Sequence, residues 1–254
     1  MTRTIKGIIF AACIFAVAAV SCQKDDTLYY NNLTMGNVVN GRFVSDQGNI
    51  FNIVDQTCEG EIEEMKRAIV LCDVLNETAG AEKEYDVKLT NLRSVLEKKP
   101  VHISQATSEE IAVIDPVNIE ELWYSGGYIN MLISFFVKPD SKVEHVINLV
   151  YDKNEDGSYT FNLRHNANGE TATTANVSGM KQAGAYVSFP LKDAVPENQA
   201  VLKFRWNWYE PSIVTGLGWD LNTRKDYPFD YEWQRSGFEQ VPNVKSFRST
   251  NNLY

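Results

Sequence analysis

The stretch Val143 to Asn166, VEHVINLVYDKNEDGSYTFNLRHN, constrains the fold of this chain more than any other. Val143, His145, Ile147, Leu149 and Tyr151 fall on one face by the two-residue period of a strand. Tyr159, Phe161, Leu163 and His165 do so on the returning segment. Between them, Asn154-Glu155-Asp156-Gly157 suits a type I turn followed by a left-handed glycine. That turn pairs Asn154 with Ser158 and Leu149 with Leu163. Turn chemistry and hydrophobic register thus agree on a β-hairpin with both apolar sets on one buried face.

The rest of the chain fits the same class. Strands are expected over Asn37 to Val44, Asn49 to Val54, Ala68 to Leu75 and Glu84 to Leu92, then over Val117 to Tyr124, Tyr128 to Val137, Ala185 to Leu191 and Val201 to Trp208. Glu59 to Arg67 reads as a helical turn or two, or equally as a charged loop. Thr107 and Glu110 match a capping box and predict a brief helix over Ser108 to Ile114. No four-turn helix is expected, so the chain reads as all-β: a compact β unit followed by an antiparallel β-sandwich. The expected units are 34–99 for the first β unit, 100–116 for a proline-marked linker and 117–254 for the sandwich. The sandwich unit ends in an irregular tail, with no period evident after Pro211.

The first 21 residues have a different character. Arg3 and Lys6 precede a 14-residue apolar run, Gly7 to Val20, and small residues lead to Cys22. That run is short of the roughly 20 residues that span a bilayer as a helix and reads as a signal peptide. Val20-Ser21-Cys22 resembles a bacterial lipobox, with Ala19 where an aliphatic residue is usual, so Cys22 is the expected lipidation site. Residues 22–33 would then be a tether to the lipid bilayer through N-terminal diacylglycerol. Gln23-Lys24-Asp25-Asp26 resembles the acid-rich export signal of surface lipoproteins. The expected location is therefore the outer membrane of a Gram-negative bacterium, exposed at the cell surface.

Removing residues 1–21 takes away Arg3 and Lys6 and no acids, so the formal charge moves from −9 to −11. With no clustered Lys and Arg to release counterions from phosphates, nucleic acid is not an expected partner. Cys58 and Cys72 would remain outside the cytoplasm, either as a disulfide or as a buried thiol beside a free one.

Candidate chemistry resolves mostly into structure. Asp152, Asn154, Asp156 and Gly157 open like a calcium loop, but its twelfth position is Leu163 and strands flank it, which favours a solvated turn. His145 and His165 share the hairpin's patterned face within reach of one another. No third ligand accompanies them, so a hydrogen-bonded pair is favoured over zinc. Arg164, Asn148 and Asn162 lie on the opposite face, as a binding patch or a solvated one. No Ser-His-Asp or Cys-His set can be assigned, so no catalytic residue, metal or cofactor is expected. Among the C-terminal aromatics, Trp206 and Trp208 alternate as core residues would, whereas Trp219 and Trp233, in irregular sequence, are the expected ligand contacts.

Several of these segments together, namely Tyr85-Asp86-Val87-Lys88-Leu89, Ile119 to Asn130 with its W-x-x-G-G-Y stretch (Trp123, Gly126, Gly127, Tyr128), His145-Val146-Ile147-Asn148-Leu149, and Phe161 to Asn166, resemble the NigD-like lipoproteins over about residues 34–210. That resemblance implies a five-stranded OB-type barrel, a C-terminal β-sandwich, no established enzymatic activity, and a name tied to a bacteriocin locus. The expected function is a non-catalytic, lipid-anchored envelope protein that binds or assembles with an envelope protein or a glycan. The alternative is a surface glycan-binding module that uses the C-terminal aromatics.

Overall fold

The computed structural model describes residues 33–235, apart from 79, 81 and 214–217, and a short strand at 247–248. The expected signal peptide, Cys22 and most of the tether lie outside these residues.

Five strands close a barrel in the order β1-β2-β3-β5-β4: β1 (Thr34–Val39), β2 (Arg42–Ser45), β3 (Ile50–Gln56), β4 (Arg67–Glu77) and β5 (Glu84–Ser94). Alternation supplies its interior: Phe43, Phe51, Val70, Cys72, Val87 and Leu89 are buried, and Phe43 and Phe51 stack at 5.8 Å. The single strand expected over Asn37 to Val44 is two strands. Asn40 and Gly41 take φ of 52° and 75° and reverse the chain between them, as a two-residue hairpin turn requires. The charged stretch before β4 forms one 3-10 turn, Ile62–Glu64, anchored by buried Ile62.

Two five-stranded sheets follow. β6 (Leu96–Glu97) and β7 (Val101–His102) lead through α1 (Ser108–Ala112) into β8 (Asn118–Ser125), β9 (Tyr128–Val137), β10 (Val146–Lys153), β11 (Tyr159–Asn166), β12 (Lys181–Pro190), β13 (Gln199–Ser212), β14 (Gly218–Gln234) and β15 (Phe247–Arg248). The sheet orders are β14-β13-β11-β10-β7 and β15-β8-β9-β12-β6. Their facing sides share one core that includes Ile119, Met131, Leu149, Phe161, Phe189, Phe204 and Trp208. The sandwich is not purely antiparallel, because β7 joins β10, β13 joins β11 and β6 joins β12 in parallel.

The hairpin register is the expected one. Leu149 faces Leu163, Asn154 N–H donates to the Ser158 carbonyl, and Gly157 takes φ +81°. The capping box also forms: Glu110 N–H donates to Thr107 Oγ1 at 3.2 Å and Thr107 N–H donates to Glu110 Oε2 at 2.9 Å.

The expected irregular tail departs most. β14 runs 17 residues against β13, pairing Trp206 with Tyr227 and Phe204 with Phe229. Tyr227, Phe229, Tyr231 and Trp233 keep a two-residue period that carried the signal, and Pro228 obscured it.

The barrel rests on the outer face of the second sheet. Met35, Ile69 and Val95 pack there against Trp123 and Tyr186. The outer face of the first sheet is left for the linker and solvent.

Candidate functional site

Three polar clusters stand out among the described residues, and they do different work. The first joins the two units. Arg67, at the start of β4, is 0% exposed and forms an ion pair with Asp46, both of whose carboxylate oxygens accept, at 2.9 and 2.7 Å. The guanidinium also donates to Asn37 Oδ1 (2.9 Å), Asn130 Oδ1 (3.0 Å) and Ser188 Oγ (3.0 Å), and lies 4.1 Å from the Tyr128 ring centre. All five guanidinium N–H donors are thereby used. Ser125 Oγ donates to Asp46 as well. The W-x-x-G-G-Y stretch is therefore a docking hairpin. Gly126 takes φ +59°, and a Cβ there would stand 2.2 Å from Asp46 Oδ1. Sequence reasoning did not find Arg67 or Asp46; the faint signal was one arginine opening an otherwise apolar strand.

The second cluster is a relay of rings. His165 Nδ1 donates to the Pro116 carbonyl at 2.8 Å, His145 Nδ1 meets His165 Nε2 at 2.9 Å, and His145 Nε2 faces Glu170 at 3.5 Å. Phe135 covers both rings, at 4.9 and 5.0 Å. Filling the three contacts takes three ring protons, one more than two neutral imidazoles carry. Burial holds His165 down at about 4, so it stays neutral at pH 7. Glu170 is held below the usual carboxylate range, first by the Ser141 hydroxyl, which donates to it. The order of contacts is Ser141, Glu170, His145. A hydroxyl nucleophile needs the imidazole between itself and the carboxylate, so this cluster ties loops to the linker and does not activate Ser141. The expected histidine pair is present, with ring nitrogens turned on each other.

The third cluster lies on the outer face of the first sheet. Asn148 on β10 stands opposite Arg164 on β11. The parallel register of β11 and β13 sets Asn162 beside Arg205, so Asn207, two residues on, is level with Arg164. Asn207 in turn opposes Asp226 and donates to its Oδ1 at 3.1 Å. Along this row Asn148 Oδ1, Arg164 Nε and Asn207 Oδ1 are buried without a hydrogen-bond partner. Asn148 is 6% exposed. Arg164 is half-buried and makes no ion pair with any described residue; burial pulls its pKa down, with the Asp226 charge opposing. Beside Asn148 and Arg164 opens a cavity of about 310 Å³, walled by Lys98, Thr107, Glu110 and Asn166. Buried polar atoms without partners are uncommon in folded proteins and mark places where a ligand can supply them.

Trp219 and Trp233, expected as ligand contacts, are 7% and 2% exposed. Trp219 packs edge-on against Trp208 and Trp233 against Tyr124. Their open stacking role is corrected: β14 is a regular strand, and its period turns both rings into the core. Trp233 also touches a shallow groove of about 540 Å³ near Asp156 and Lys203. Asp156 is occupied by Ser158 and Lys203, at 2.9 Å from the lysine, as a solvated turn would have it. Cys58 and Cys72 are both unbridged, and burial pushes the Cys72 thiol up to about 12.

A barrel docked by a buried arginine onto a two-sheet sandwich, with one polar outer face left over, defines a two-unit all-β protein. Residues 99–215 match the family described as NigD-like C-terminal beta sandwich domain. Comparison with curated proteins finds no match.

Among solved structures, the chain is similar to a protein of unknown function, DUF1344, from Bacteroides vulgatus ATCC 8482. The identity is 19% and the TM-score 0.55, over 82% of this chain and 93% of that one. It is also similar to a NigD-like immunity protein from Bacteroides caccae ATCC 43185, at 19% identity and TM-score 0.54, over 79% and 95%. A third is a lipoprotein candidate from Bacteroides fragilis NCTC 9343, at 10% identity and TM-score 0.55, over 81% and 99%. At these identities the likeness is one of fold.

Proposed function

We propose that this protein is a non-catalytic, lipid-anchored component of a Gram-negative cell envelope that binds or assembles with another envelope molecule. Diacylglycerol on Cys22 holds it at the outer membrane, facing the cell surface. The binding role rests on one observation above others: the row Asn148, Arg164, Asn207, with buried polar atoms lacking partners on the sheet face that the barrel does not cover. The two other clusters described above are already engaged, Arg67 with Asp46 and His145 with His165 and Glu170, in fastening elements together. The anchor rests on the apolar run that ends at Cys22. The similar B. caccae protein is called an immunity protein, which is in keeping with a recognition role.

The test is cross-linking on intact cells that carry a tagged copy, with Cys22→Ala as the unanchored control. The anchored form is expected to capture one reproducible envelope component and to incorporate labelled palmitate, and the variant to do neither. Equal capture by both forms, or turnover of envelope polymers by the purified protein, would overturn the reading.

A further inference from the structure

We propose that the cavity over Asn148 and Arg164 binds a hydroxylated monocarboxylate, specifically the carboxylate-bearing ring of an acidic sugar. This inference rests on the binding role above and names the ligand class. A half-buried guanidinium without an ion pair is costly, because its charge is partly stripped of water and the nearby Asp226 charge offsets only part of that. A carboxylate is the partner whose geometry matches guanidinium N–H groups. Asn148, which also lines the cavity, has the opposite sense: its Oδ1 is an acceptor, the residue is 6% exposed, and the oxygen lacks a donor. A ligand that satisfies both carries a carboxylate and, a few ångströms away, an O–H that donates.

The rim sets the charge. Lys98 lines the cavity together with Glu109 and Glu110. Glu109 Oε1 accepts from Asn166 Nδ2 at 2.9 Å, and Glu110 is the capping acid of α1, so both acids are fixed at the mouth. They disfavour the second charge of a phosphate and leave room for a single one. A volume of about 310 Å³ lies at the small end of ligand sites and suits one ring of a longer chain. The mouth is shaped by α1, and of rings the walls include only the imidazole of His165, with no Phe, Tyr or Trp. Recognition would therefore come from hydrogen bonds and charge, without stacking.

The experiment titrates the full-length lipidated chain in detergent with D-glucuronate. It follows the Arg164 Nε–H resonance in nitrogen-15 spectra and the heat of binding. D-glucose, acetate and triglycine are the comparators: no carboxylate, no hydroxyls, and a peptide carboxylate. Glucuronate is expected to shift the Nε–H signal and to bind at least about tenfold more tightly than any comparator. Arg164→Gln and Asn148→Leu are each expected to weaken it about tenfold or more. Lys203→Ala, on β13 where its side chain reaches Asp156 of the hairpin turn, should leave affinity unchanged, and matching near-ultraviolet circular dichroism shows that the variants are folded.

Equal binding of glucose or acetate, preference for triglycine, or undiminished affinity in Arg164→Gln would each overturn the assignment. If glucuronate fails while cross-linking on cells still captures an anchored partner, the ligand class falls and the binding role stands.

Discussion

Arg67 and Arg164 are the same side chain in opposite circumstances. Arg67 has every donor used and a carboxylate on it, and Asp46 beside it is equally shut from water. Removing one member of such a pair strands the other charge, at a cost of about 3–5 kcal/mol. Arg67→Ala should therefore lower unfolding stability in urea by roughly that amount, about 3–5 kcal/mol. A loss under about 1 kcal/mol, the worth of a surface pair, would mean that the pair does not fasten the two units. Gly126→Ala reaches the same lock from the sandwich side, since the added Cβ meets Asp46 Oδ1 and the backbone sits at φ +59°. We expect a loss of about 3 kcal/mol from strain and pair disruption together, read by the same titration. None of this was legible in the sequence, because Arg67 draws its partners from 21, 30, 63 and 121 residues away. Local pattern carries no information at that range.

At the scale of elements, legibility follows locality. The hairpin register and the capping box were readable because each is fixed by residues within one turn of chain, Asn154 to Ser158 and Thr107 to Glu110. The split at Asn40-Gly41 was missed because the apolar alternation runs through it. β14 was missed because Pro228 and the charged run Arg224 to Asp226 mask its aromatic period. Its Trp233 is now a core residue, and Trp233→Ala should cost about 3–5 kcal/mol as a large core truncation does. A change below about 1 kcal/mol by chemical denaturation would return it to the surface role.

The histidine relay gives the loops around β10 and β11 a pH response. His165 folds with its pKa depressed to about 4 from 6.5, so the unfolded chain binds more protons between those values. Its stability contribution is full above pH 6.5 and is lost as pH falls toward 4. Glu170, held low by Ser141, works in the same sense below the ordinary carboxylate range. Melting temperature should thus fall from pH 7 to pH 4.5, and less steeply in His165→Asn. An equal slope in both proteins would remove His165 as the cause.

For the whole molecule, the layering decides where function can sit. The barrel covers one outer face of the sandwich through Met35, Ile69 and Trp123, and the core takes the aromatics that sequence reasoning had placed outside. What remains is the sheet face with Asn148, Arg164 and Asn207. Arg164, Asn148 and Asn162 were named in the sequence as sharing the face opposite the histidines, because strand alternation shows it. The unpartnered atoms of Arg164 and Asn148 could not be read there, since the row they form with Asn207 depends on a parallel pairing with β13 that no hairpin signals.

If that row serves a ligand and not the fold, its residues are tolerated at a cost to stability, and removing them should relieve it. Thermal unfolding of the ligand-free Arg164→Gln, Asn148→Leu double variant tests this most directly. We predict a melting temperature at or above that of the parent. A fall of several degrees would show that the row holds the sandwich together, and would contradict the assignment of this face to binding.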